Sequence, residues 1–208
     1  MDDIVRQAMA KWPNVPNCYG WLALDARGAW RMRDETAQRA AAPGDRLTNA
    51  ALVGFINRNY LADERGCWYF QNGPQRVYVN LEAAPFIART DPSLGPGLGL
   101  TLHTGEALGT VDEVCMLASG ALLLRAGTRV AQLDDRDLAQ LLPCMELDGK
   151  PVADEAWMNW LENWPNRGAG RLALRWQDRR IDVDRLAAEE APRRFGFVRR
   201  PDLFAAQQ

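Results

Sequence analysis

Apolar residues recur at helical spacing in two stretches of the N-terminal half and alternate with polar ones in several others. In "DDIVRQAMAKW", residues 2–12, Ile4, Val5, Ala8 and Trp12 fall on one helical face, and Pro13 ends the run. "YGWLALDARGAWRMR" alternates on both sides of Asp25-Ala26-Arg27-Gly28, the mark of a β-hairpin. Residues 34–46 have neither period and read as an irregular connection. "LTNAALVGFINRNYLAD" brings Leu52, Phe55, Ile56 and Tyr60 to one side, with Thr48 or Asn49 as N-cap, and predicts an amphipathic helix.

The most regular stretch is "GCWYFQNGPQRVYVNLEAAPFIART", residues 66–90. Cys67 to Phe70 is rich in strand-forming residues, and Asn72-Gly73 suits a tight turn. Val77, Val79 and Leu81 then face one way, while Arg76, Tyr78, Asn80 and Glu82 face the other. Pro85 breaks the ladder, and Phe86-Ile87-Ala88 resumes as an edge strand or bends over the core.

Beyond residue 90 the pattern changes. "TDPSLGPGLGL", residues 90–100, carries two prolines and three glycines and reads as a boundary. Short strands are expected near 100–103, 111–117, 120–125 and 128–133. A helix at about 134–142 follows, capped by Asp134 or Asp135 and stopped by Pro143. "MELDGKPV" suits a tight hairpin, "ADEAWMNWLENW" a helix, and "GRLALRWQDRRIDVDRL" a strand, turn and strand. The expected fold is α+β: an N-terminal domain over 1–92 built as hairpin, helix and hairpin, and a β-rich domain with short helices over 98–208.

The layout G-x-W, then "FINRNY", then "GCWYFQNGPQRVYVNLE" with "APF" after it resembles uncharacterised proteobacterial families of about this length. The order of hairpin, helix, G-x-W-Y strand and V-x-V-x-x-E-x-x-P-F also resembles a small two-domain α+β bacterial family. The likeness covers roughly residues 20–90. It implies a two-domain fold with a ligand site between the domains, and it names no chemistry.

Composition narrows the picture little. The chain has 208 residues, 47% hydrophobic and 25% charged, as in an ordinary globular protein. A net charge of −2 offers no general attraction for nucleic acid or anionic membrane. Two lysines against many arginines reflect a GC-rich genome rather than a chemistry. The N-terminus is acidic at once, with no export signal, and the four cysteines are scattered, so reduced thiols in the cytoplasm are expected.

Each candidate chemistry meets an ordinary alternative. His103 is the only histidine and cannot build a zinc site with cysteines that lack close spacing. No nucleophile motif accompanies it, and no catalytic residue is expected. The glycine run near residue 97 fits no phosphate loop, so no cofactor is expected. "VDE", "LDDRD" and "DVD" follow no calcium-loop pattern; helix capping explains Asp134-Asp135. "RRFGFVRR", residues 193–200, approaches an RNA-recognition signature, but Arg194 and Arg200 stand at two of its key positions. A C-terminal strand with surface arginines is expected there. Trp157, Trp160, Leu161 and Trp164 form a stripe suited to core packing.

That leaves the row Arg76, Tyr78, Asn80 and Glu82. It is either a solvated sheet face or, where something packs over it, the wall of a cleft in which Arg76 grips an anion. Two functions follow: a non-enzymatic module binding a small ligand between the domains, or an interaction factor using exposed aromatics and the Arg-rich C-terminus, acting as a homo-oligomer or with a protein partner.

Overall fold

The computed structural model describes residues 1–94, 99–163 and 170–205. They form an α+β fold divided into two compact units: Met1–Pro85 with His103–Gly105 and the C-terminal segment from Phe195, and Phe86–Leu102 with Glu106–Arg194. No helix among the described residues is long and apolar enough to cross a membrane.

The first unit places its elements where the hydrophobic pattern expects most of them, but of the apolar face read in residues 2–12 only Val5 is buried, with Ile4 and Trp12 exposed. Helix α1 (Asp3–Lys11) leads into β1 (Cys18–Leu24), which pairs antiparallel with β2 (Trp30–Met32). The stretch expected to be irregular holds a short helix, α2 (Glu35–Arg39), and a two-residue strand, β3 (Asp45–Arg46). Asp34 caps α2 by accepting the Ala37 N–H, a local bond that no apolar period announces. Helix α3 (Ala50–Arg58) starts where Asn49 accepts the Leu52 N–H at 3.0 Å. It stops before Tyr60, which opens β4 (Tyr60–Ala62). The β-branched and aromatic run after it forms β5 (Trp68–Asn72) and β6 (Gln75–Leu81), joined through Gly73.

Among the described residues these strands make a six-stranded sheet in the order β3-β2-β1-β6-β5-β4. The β1–β6 pair at its centre is parallel, with Ala23 opposite Asn80 and Leu24 opposite Leu81. Ile56 of α3 and Leu22, Leu24, Val79 and Trp30 are buried as the core of this unit. Burying such side chains contributes about 1.5–3 kcal/mol each, so this face of the sheet supplies a large share of the unit's stability.

The second unit contains β7 (Phe86–Thr90), β8 (Leu100–Leu102), β9 (Glu113–Leu117), β10 (Leu122–Ala126) and β11 (Arg129–Leu133). Then come α4 (Leu138–Leu141), β12 (Met145–Leu147), β13 (Lys150–Pro151), α5 (Asp154–Glu162), β14 (Leu172–Trp176), β15 (Arg179–Leu186) and α6 (Ala191–Phe195). Its sheet runs β13-β12-β14-β15-β9-β10-β11-β7-β8. Strand β7 is therefore not an edge: β11 pairs with it on one side and β8 on the other. The Pro/Gly segment is the connection between β7 and β8 in this one sheet, and its residues 95–98 lie outside the described residues.

The helix expected over 134–142 is broken into a 3-10 turn, α4 and a second 3-10 turn through Cys144. Asp134 is fully buried and accepts Arg136; that bond outweighs the opposing effect of burial and lowers its pKa to about 2. Trp157 and Trp160 of α5 are buried, the core role their spacing suggests. Trp164 lies outside the described residues.

Candidate functional site

The pleat of β6 puts Arg76, Tyr78 and Asn80 on the face opposite the valines, as alternation requires. That face is not solvated: Tyr78 is 2% exposed and Asn80 6%. What covers it is the C-terminal strap, residues 195–205. Val198 donates to the Gly66 carbonyl at 2.9 Å, and the Leu81 N–H donates to the Arg199 carbonyl at 2.8 Å. Helix α7 (Pro201–Ala205) then packs on β1 and β6. The segment expected as a strand ends α6 at Phe195 and makes one isolated bridge, Cys67 to Val198. Gly196 at φ +70° turns the chain there.

The strap splits the row of four in two. At one end Tyr78 stacks on Tyr19 and its hydroxyl donates to Asp63 at 3.1 Å. Burial alone would raise Asp63, but bonds from Arg65, the Cys67 N–H and Tyr78 reverse this and hold its carboxyl below the usual range. Arg76 lies over the Tyr69 ring at 4.7 Å. A guanidinium laid on a ring and a tyrosine between two others are packed structure, with Tyr78 buried beneath.

At the other end Asn80 and Glu82 line a cavity of about 290 Å³ with Asp25, Arg31, Arg33 and Arg200. Ala42, Pro43 and Leu81 supply apolar wall. Arg31 pairs with Asp25 at 2.8 Å, and Arg200 with Asp202 at 2.8 Å. Arg33 differs. It is 6% exposed, donates through Nε to the Ala42 carbonyl at 3.0 Å and through Nη1 to the Gly20 carbonyl at 3.5 Å, and pairs with no carboxylate among the described residues.

Asn80 is buried as well: both polar atoms of its amide are shut from water, with no well-formed hydrogen bond among the described residues. It does lie close enough to Asp202 to help hold that carboxyl down against burial, which alone would raise it. Glu82 is exposed and accepts the Ala26 N–H at 3.0 Å, which ties it to the β1–β2 turn. The site thus holds a buried guanidinium that meets no carboxylate among the described residues, a condition that favours an anion.

Of the four residues expected at a site, Asn80 and Glu82 border this cavity and Arg76 and Tyr78 do not. Arg31, Arg33 and Arg200 are the additions. The alternation in "WRMR" shows Arg31 and Arg33 sharing a face, but that this face meets Asn80 depends on the parallel β1–β6 pairing.

Two other clusters are explained without a ligand. Glu113, Cys115 and Asp184 lie near enough to suggest a cation, yet Arg194 bonds Glu113 at 2.6 Å and Asp184 at 2.8 Å. Burial pushes the Cys115 thiol up to about 12, so it is no ready ligand. His103 packs its ring against Trp30 and Tyr60, and burial lowers its pKa to about 3, against the opposing pull of Asp25. A proton is hard to place on such an imidazole near neutral pH.

The chain belongs to the family DUF2944, described as "Protein of unknown function (DUF2946)", whose model matches residues 1–202. Among the curated proteins no match is found. Solved structures similar to it include a DUF1285 family protein from Silicibacter pomeroyi, 17% identical, with a TM-score of 0.49 over 92% of this chain and 98% of that one. Another is a DUF1285 family protein from Shewanella baltica, 15% identical, with a TM-score of 0.40 over 58% of this chain and 88% of that one. An uncharacterised family is what the sequence resemblance implied.

Proposed function

For this member of an uncharacterised family, we propose a non-enzymatic module that binds a small organic anion in the cavity bordered by Arg33, Asn80 and Glu82. One observation carries the reading: Arg33 is buried without a carboxylate partner among the described residues. Taking a guanidinium out of water costs several kcal/mol unless acceptors offset it, and two carbonyls meet only part of its donors. A bound carboxylate or phosphate would complete the set. The Arg31–Asp25 and Arg200–Asp202 pairs hold their own charges and shape the walls. The acidic balance of the chain favours a small-molecule or protein partner over nucleic acid, and the free cysteines support a cytoplasmic location.

A second reading, docking of a protein partner or a second copy, draws support from a different feature. Trp21, Met32 and Leu52 are each more than a third exposed beside an apolar groove of about 260 Å³.

Thermal-shift titration with phosphate, acetate and succinate tests the first reading. A ligand that binds only the folded state at a hundred times its Kd stabilises it by about 2.7 kcal/mol, a readily measured rise in Tm. The expected result is a saturable rise that is lost in Arg33→Met and kept in Arg76→Ala. No rise, or an equal rise in Arg33→Met, would overturn it.

A further inference from the structure

We propose that the ligand of this cavity is a short peptide with free termini, a dipeptide being the smallest that fits. The inference rests on the anion-binding reading and adds the rest of the molecule. Its basis is the charge that remains once internal pairs are set aside. Arg31 is engaged by Asp25 and Arg200 by Asp202. Arg33 keeps a positive charge that no carboxylate among the described residues compensates. Glu82 keeps a negative one: its Oε2 accepts the Ala26 N–H, and no cation pairs with it among the described residues.

Strand register puts these groups in a defined order. Arg33 donates its N–H to the Trp21 carbonyl, so it lies level with Trp21 on β1. Asn80 is level with Ala23. Glu82 follows Leu81, the partner of Leu24, and donates its N–H to the Leu24 carbonyl, so it lies level with Asp25. Along β1 the order is cation, amide, carboxylate, at alternate residues.

Spacing selects the class. Four residues at about 3.3 Å each and two strand intervals at about 4.8 Å put the Arg33 and Glu82 Cα atoms on the order of 16 Å apart. Long side chains reaching inward shorten that gap without closing it. An α-ammonium beside its own carboxylate is too short to meet both charges, whereas the termini of a peptide are separated by at least one amide. The C-terminal carboxylate would meet Arg33 and the N-terminal ammonium Glu82. A volume of about 290 Å³ with alanine and proline walls suits small side chains.

The test is isothermal calorimetry of the full chain with Ala-Ala, N-acetyl-Ala-Ala, Ala-Ala-amide, alanine and inorganic phosphate. Ala-Ala is expected to bind at least about tenfold tighter than either blocked peptide and than alanine. Glu82→Gln keeps the acceptor for Ala26 and should remove the preference over N-acetyl-Ala-Ala while preserving that over Ala-Ala-amide. Arg33→Lys should weaken Ala-Ala, and circular dichroism would confirm that the variant is folded. Equal binding of the acetylated and free peptides would overturn the peptide proposal and leave the anion reading standing. So would phosphate binding without any peptide binding. Binding of none of the five would overturn both.

Discussion

Tyr19 and Tyr78 stack face to face, with ring centroids 4.6 Å apart and planes parallel. They come from β1 and β6, 59 positions apart, and only the parallel pairing of those strands brings them together. The stack lies under the C-terminal strap beside Cys67 and Val198. It therefore joins the central strands to the chain's last described segment.

Removing one hydroxyl tests this arrangement. Tyr78→Phe keeps the stack but deletes the donor to Asp63 and the acceptor for Arg65. A loss of about 1–2 kcal/mol in unfolding free energy is expected from urea titration. Tyr78→Ala removes the ring as well and should cost about 3–5 kcal/mol. Near-equal costs for the two variants would mean that the ring contributes little.

The single histidine gives a pH prediction. Burial holds the folded His103 at about 3, below the roughly 6.5 of an unfolded chain. Between those values the unfolded state binds more protons, so stability falls as pH drops from about 6.5 towards 3 and is not lost further below. His103→Gln should flatten that slope in urea midpoints taken between pH 7.5 and 4.5. The lone imidazole resonance should not titrate above about pH 4.

Thiol reactivity should follow burial. Cys67 and Cys115 are 2% and 0% exposed, and Cys18 and Cys144 are half-buried. With its thiol pushed up to about 12, Cys115 has almost no thiolate at pH 8. Native labelling with a chromogenic disulfide should modify Cys18 and Cys144 first. Cys115 should react at the rate of global unfolding.

The strap depends on a close approach of two glycines. Gly66 has φ +77°, and a Cβ there would lie 2.2 Å from the Gly196 carbonyl oxygen. Gly66→Ala should cost at least about 1–3 kcal/mol from backbone strain alone. It should also speed hydrogen exchange at the Val198 amide, which donates to the Gly66 carbonyl. Unchanged exchange at Val198 would show that the strap is held elsewhere.

Local structure was legible wherever neighbouring residues decide it. The alternation of Val77, Val79 and Leu81 fixes a strand and its buried face, because side chains in a strand repeat every two residues. Asn49 starts α3, since its side chain reaches an N–H three residues on. The character of the opposite face was not legible. Arg76, Tyr78, Asn80 and Glu82 read alike as polar alternation, yet one end is packed under aromatic rings and the other opens on a cavity. What separates them is the strap from beyond residue 194 and a parallel pairing between strands far apart in sequence. Arg33 shows the same limit: nothing in "RMRD" says that its guanidinium will be buried beside Ala42 and Gly20. Burial is a property of the assembled surface, fixed by register and closure of distant segments, and no local period encodes it.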